Sequence, residues 1–224
     1  MPTPQNILAH LGLAASSAMP IAIVWHGLTL AAGLALLSGW RPTRRVAGAL
    51  LAAPIASVSA VAFAYGNPFN GVLLGVLALL LVGLAWPLAS DEVRRGGTAA
   101  TILGLGMIAF GWLYPHFLES RPMTIYLYAA PTGVVPCPSL SLVVGFALLS
   151  RGLGSRAWSL ALAIAGLFYG LFGVARLGVR LDIVLVGGSA ALLALALRKP
   201  THAPRAAALP DWQEQPRYVI GGRP

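Results

Sequence analysis

The sequence predicts an all-α integral membrane protein of about seven transmembrane helices, and three observations carry that prediction. Of 224 residues, 58% are hydrophobic and only 9% are charged, against roughly 25% charge in soluble domains. Mean hydropathy is +0.79. The apolar residues gather in runs near the roughly 20 residues that a hydrocarbon core of about 30 Å demands, and basic residues punctuate the runs. The net charge of +9 therefore reads as a topology signal. No basic stripe with interleaved aromatics points to nucleic acid, and the lipid bilayer is the expected partner. The 15 basic residues include a single lysine, a usage that fits a high-GC bacterial genome, so the expected location is the bacterial inner membrane. One cysteine excludes an internal disulfide and a Cys-x-x-Cys metal site.

Residues 1–19 read as an extracytoplasmic segment without the basic n-region of a cleavable leader. Residues 20–198 hold the helical bundle. Residues 199–224, proline-rich and polar, read as a disordered cytoplasmic tail. The first span runs from Pro20 to Trp40 and stops at Arg41, Arg44 and Arg45. The second covers Val46 to Tyr65, with Pro54 inside it and Ser57 and Ser59 placed to satisfy the backbone groups a proline frees. Gly71 to Ser90 and Thr98 to Phe117 are the third and fourth. A fifth, irregular span ends near Ser150; Ala157 to Ala175 and Leu181 to Leu197 complete the set.

Basic residues near span ends stay in the cytoplasm. Loops after spans one, three and five carry Arg41, Arg44, Arg45, Arg94, Arg95, Arg151 and Arg156, whereas the other side has Arg121, Arg176 and Arg180. The N-terminus is thus expected outside and the C-terminus in the cytoplasm. Trp40, Trp86 and Trp158 fall at inner interfaces and Trp112 near an outer one.

The fifth span is broken. "APTGVVPCPSLS" places Pro131, Pro136 and Pro138 within eight residues, and each proline removes a helical bond and clashes one turn back. From Pro138 to Ser150 the helix rises only about 20 Å, so it starts inside the bilayer and the preceding residues re-enter from the outer face. On this reading Pro138 is the first helical residue, Cys137 its N-cap, and Ser139 lies in the first turn. The positive helix end then favours an anion or a thiolate in an outward-facing cavity. Gly133, Pro136, Cys137, Pro138 and Ser139 shape that cavity. His26 and His116 are candidate partners, with His10, Glu119 and Met123 on the same side. A thiolate with imidazoles suits copper or zinc, and Cys137, His116 and His26 are the candidate metal ligands; haem is a further cofactor to consider. The alternative for Cys137 is an inert buried thiol.

Arg176 and Arg180 stand one helical turn apart, ready to receive Asp182 or a lipid phosphate. Gly71 with Gly75, and Gly166 with Gly170, have the spacing of close helix contacts or of a homo-oligomer or partner seam. No paired carboxylates, nucleophile-base pair, P-loop or dinucleotide fingerprint is present, and acidic residues are nearly absent from the spans, which argues against a carboxylate-driven proton pump.

"YPHF" at the end of span four, followed by "APTGVVPCPSLSLVVGFALL", resembles an uncharacterised bacterial family of multi-pass membrane proteins. Its mark is a Tyr-Pro pair followed by a Gly-Val-x-Pro-Cys-Pro segment. The shared positions are Tyr114, Pro115, Gly133, Pro136, Cys137 and Pro138, and Gly187-Gly188-Ser189-Ala190 is similar too. Ser139 and Leu140 stand where the family pattern has threonines. The resemblance implies a positional role for Cys137 and brings no established activity. The function expected is binding or transport of a small solute or metal ion at the Pro-Cys-Pro segment. Its alternatives are a membrane-embedded enzyme or thiol-redox protein acting through Cys137, and an assembly subunit of a membrane complex.

Overall fold

Helix starts follow the capping residues. In the computed structural model, which describes residues 3–198, Thr3 accepts the Asn6 N–H at 3.3 Å and opens α1 (Pro4–Ser17). α2 (Met19–Leu37) follows after a single residue. Thr43 accepts the Val46 N–H at 3.3 Å at the head of α3 (Arg44–Ala64). Asn67 caps α4 (Pro68–Ala85), where Pro68 occupies a first-turn position that needs no donor. α5 (Thr98–Leu113), the single-turn α6 (Tyr126–Ala129) and α7 (Pro136–Leu149) come next. Ser155 caps α8 (Arg156–Phe172), and α9 (Ile183–Leu197) closes the bundle.

The fold is all-helical; among the described residues there is no strand, only one antiparallel bridge between Thr43 and Glu92. Five helical stretches are long and apolar enough to cross a membrane: Met19–Leu37, Arg44–Ala64, Pro68–Ala85, Arg156–Leu177 and Arg180–Leu197. Two apolar helices are shorter, Thr98–Leu113 and Pro136–Leu149. The expected tail, 199–224, lies outside the described residues.

The shortest of these is the axis. Eleven of the 14 residues of α7 are buried, enclosed by α3, α5, α8 and α9. Small residues allow the tightest of these approaches. A Cβ on Gly145 would meet the Gly104 carbonyl at 2.7 Å, and one on Gly111 the Pro138 carbonyl at 2.6 Å. Backbone thus lies against backbone along the α5–α7 crossing.

Two expectations need correcting. Trp158 stands at a helix end but does not turn its ring outward as an interfacial anchor would: it is wholly buried in the core, while Trp40 and Trp86 are exposed. Ser57 and Ser59 do not serve the Pro54 break. Their hydroxyls instead donate across the bundle, Ser57 to the Gly133 carbonyl at 2.7 Å and Ser59 to the Gly71 carbonyl at 2.6 Å. The two spaced glycine pairs make the close helix contacts that their spacing allows: Gly71 and Gly75 face Phe63 and Ser59, and Gly166 and Gly170 face Ser189 and Val186.

Candidate functional site

Between α5 and α7 the chain makes a 3-10 turn (Met123–Ile125), the short α6, and then six non-helical residues, 130–135. All six are buried. Their backbone groups are bonded by side chains from α3 and α7 and by one another, Thr132 N–H to the Ala130 carbonyl and Val134 and Val135 N–H to the Pro131 carbonyl, as irregular backbone in an apolar setting requires. Trp25 on α2 donates its indole N–H to Ser57 Oγ at 2.9 Å, and Ser57 in turn holds the Gly133 carbonyl. The Gly133 N–H donates to Ser139 Oγ at 2.8 Å, and Ser139 donates to the Val135 carbonyl at 2.6 Å. Thr132 reaches the Gly111 carbonyl at 2.8 Å. Gly133 is left-handed at φ 77° with the Trp25 ring across its α-carbon. Gly133 and Ser139 therefore build the turn that presents α7; they do not line an open cavity.

The start of α7 is displaced from its expected place. Val135 is the N-cap, extended at φ −116°, and Pro136 is the first helical residue. A proline fits that position without losing a bond, and it holds its predecessor extended. Cys137 therefore sits inside the first turn and not at the cap. Pro136 and Pro138 also strip two donors from that turn, which leaves a poor anion cradle of N–H groups.

A carboxyl group is nevertheless present, and the chain supplies it. Asp182 is 1% exposed. Tyr114 O–H donates to its Oδ1 at 2.7 Å, and the Cys137 thiol donates to its Oδ2 at 3.1 Å. The positive end of the α7 dipole favours a carboxylate at this place. Gly173 creates the room: a Cβ there would lie 1.9 Å from Asp182 Oδ2. α8 widens into a π turn at Gly173–Leu177, and Gly178 at φ 73° reverses the chain before the 3-10 turn Arg180–Asp182. That irregular link turns Asp182 inward while Arg176 and Arg180 stay exposed. Asp182 is thus not received by these arginines. The ion pairs among the described residues are Arg44–Asp91 and His116–Glu119, so this buried carboxylate has only neutral donors.

The cysteine-carboxylate pair escaped sequence reading because 45 residues separate its members. One signal was available: Asp182 directly adjoins an apolar span, a position where an acid is costly without a role. Tyr114, of the Tyr-Pro pair, is the other residue newly drawn into the site.

The metal ligand set does not assemble. Both ring nitrogens of His26 are taken by backbone carbonyls, Nδ1 by Ala22 at 2.9 Å and Nε2 by Trp112 at 3.0 Å. Among the described residues no three His, Cys, Asp or Glu side chains converge as an ion would need. His116 pairs through Nδ1 with Glu119, and its Nε2 is buried without a partner. Near Val134 and Pro136 the space amounts to about 10 Å³, roofed by Leu11 and Ala14 of α1, which is room for about one water.

Outside the helices, partial burial opposes the charge of Glu119, yet N–H donation from its own backbone and from Phe117, with His116 alongside, holds its carboxyl below the ordinary value. A group depressed in the folded state stabilises it above the unfolded pKa of about 4.3, and that contribution is lost as pH falls through the folded pKa. Thermal melts between pH 7 and 3 are expected to show a loss of stability below about pH 4.3 in the wild type. Glu119→Gln should lack that component, and identical pH profiles would count against the pairing.

Fold and site together define an all-helical chain with five helices fit to span a membrane and a thiol-phenol-carboxylate cluster at the start of α7. Comparison with protein-family models, curated proteins and solved structures finds no match to this chain.

Proposed function

We propose that this is a seven-helix protein of the bacterial inner membrane that binds, and passes, a small cationic solute at the Cys137–Tyr114–Asp182 site. The N-terminus faces outward, the C-terminus is cytoplasmic, and residues 130–149 form a re-entrant span. Two features support that topology. α7 rises only about 21 Å over its 14 residues, and the irregular backbone ahead of it is fully covered by protein. The shared positions Tyr114, Pro115, Gly133 and Pro136 to Pro138 keep the resemblance to the uncharacterised multi-pass family within this reading.

One observation carries the choice of a cation: Asp182 is buried on hydrogen bonds from Tyr114 and Cys137 and takes part in no ion pair among the described residues. An intramembrane acid marks a solute or ion path by default, and a carboxylate without a counter-charge selects positive charge. α1 covers the outer end, its Ala14 and Ala15 packed with Tyr114, Val134 and Val135 in one apolar cluster. Moving α1 opens the site to the outer face.

Reconstituted vesicles on a solid-supported membrane, challenged with ammonium, methylammonium and chloride jumps, test this. Cation-dependent currents that vanish in Asp182→Asn are expected. Currents of equal size in wild type and Asp182→Asn would overturn the proposal, as would none with any cation. The same 3.1 Å contact favours a second reading, thiol chemistry with Asp182 taking the Cys137 proton. Cys137→Ser separates the two, because it removes thiol chemistry and leaves the carboxylate that binds a cation.

A further inference from the structure

The other end of α7 carries a second built feature. Here the backbone from Arg151 to Gly154 is left-handed at four consecutive residues, with φ of 51°, 61°, 55° and 61°. For Arg151 and Leu153 that conformation is strained, as it is for any L side chain, so the turn must be braced from outside. Arg44 does this, donating Nε–H to the Leu153 carbonyl at 2.6 Å and a terminal N–H to the Gly154 carbonyl at 3.0 Å. Ser159 Oγ holds the Gly152 carbonyl at 3.0 Å. The 42–44 and 91–93 loops are stitched to each other by Arg44 N–H to the Asp91 carbonyl at 3.0 Å and Val93 N–H to the Pro42 carbonyl at 3.1 Å.

These three loops enclose a groove of about 310 Å³ whose polar lining is Arg44, Asp91, Arg94, Ser150 and Arg151. Three guanidiniums face one carboxylate. Arg44 is committed to the brace and to Asp91 at 3.3 Å, whereas Arg94 and Arg151 are exposed and make no hydrogen bond among the described residues. Arg45 in the first turn of α3, Arg95 in the 91–97 loop and Arg156 at the head of α8 add positive charge at this end of the bundle, against Glu92. The braced turn thus places Arg151, and the neighbouring 91–97 loop places Arg94, at the rim of a concave site next to the ends of apolar helices, both guanidiniums uncommitted among the described residues.

We propose that this groove binds a phosphate group carried by an anionic lipid headgroup. Guanidinium forks match phosphate oxygens in paired hydrogen bonds, and basic pockets between membrane helices are where such headgroups seat. The site is separate from the Asp182 cluster, at the opposite end of α7, and stands whether or not that cluster binds a cation.

Native mass spectrometry of the full chain in mild detergent tests it, with phosphatidylglycerol, phosphatidylcholine and inorganic phosphate as probes. Phosphatidylglycerol should be retained and phosphatidylcholine should not. The double variant Arg94→Gln/Arg151→Asn removes both charges and keeps a residue that tolerates the left-handed conformation; it should weaken phosphatidylglycerol binding about tenfold, roughly the 1.4 kcal/mol of one charge-assisted contact. Arg94→Gln alone, outside the strained turn, should weaken it about threefold and keeps the test valid if the double variant misfolds. If millimolar inorganic phosphate displaces the lipid, the site also takes free phosphate; if not, the headgroup is the source, and either result upholds a phosphate site. Equal retention of the two lipids, or unchanged phosphatidylglycerol binding in a folded variant, overturns it.

Discussion

Replacing Asp182 with leucine is expected to destabilise the protein by about 1–3 kcal/mol, because the buried Tyr114 hydroxyl is left without an acceptor. Tyr114 is wholly buried and donates to Asp182 at 2.7 Å, so no water replaces the lost partner without opening the core. Removing both polar groups should cost less than the sum of the single changes, since the orphaned donor goes with its acceptor. Thermal melts of Asp182→Leu, Tyr114→Phe and the double variant form the cycle. A strictly additive double variant would contradict a shared hydrogen bond. Asp182→Asn belongs beside them: it keeps an acceptor for Tyr114 and removes the charge, so it should retain most of the stability while losing the cation-dependent current.

The second large effect is expected at Gly133. Alanine there must hold φ 77°, which costs about 1–2 kcal/mol for an L residue, and its Cβ would lie 1.9 Å from Trp25 Cδ1. Trp25 must then move, and its bond to Ser57 breaks together with the tie from Ser57 to the turn. Overpacking of this kind typically costs about 1–3 kcal/mol more. Gly12→Ala, with open space around its α-carbon, is the matched control. A melting temperature for Gly133→Ala equal to that of Gly12→Ala would show that the turn is not held by this chain of contacts.

Much of the architecture was legible because it follows from local chemistry. Apolar runs, with the arginines and prolines that bound them, locate the helices to within a few residues. Thr98 and Leu197, for example, bound their helices where the sequence reading placed them. The broken fifth segment was legible too, because three prolines exclude a continuous helix there. What escaped depends on three-dimensional neighbours. Nothing local distinguishes Trp158 in the core from Trp86 at the surface. The inward turn of Asp182 requires the π turn after α8 and the absence of a side chain at Gly173. Likewise His26 looks available in the sequence and is spent on the carbonyls of Ala22 and Trp112 in the fold.

The central claim is that Cys137 and Asp182 form a negatively biased site reached from the outer face. Cys137 is the only cysteine in the chain, so its alkylation can be followed in the wild-type protein without background. Right-side-out spheroplasts exposed to a cationic and an anionic methanethiosulfonate of similar size give the test. The account predicts that the cationic reagent modifies Cys137 about tenfold faster, a preference worth about 1.4 kcal/mol of barrier, and that Asp182→Asn abolishes the difference. Equal rates for the two reagents in the wild type, or no modification from outside, would contradict it.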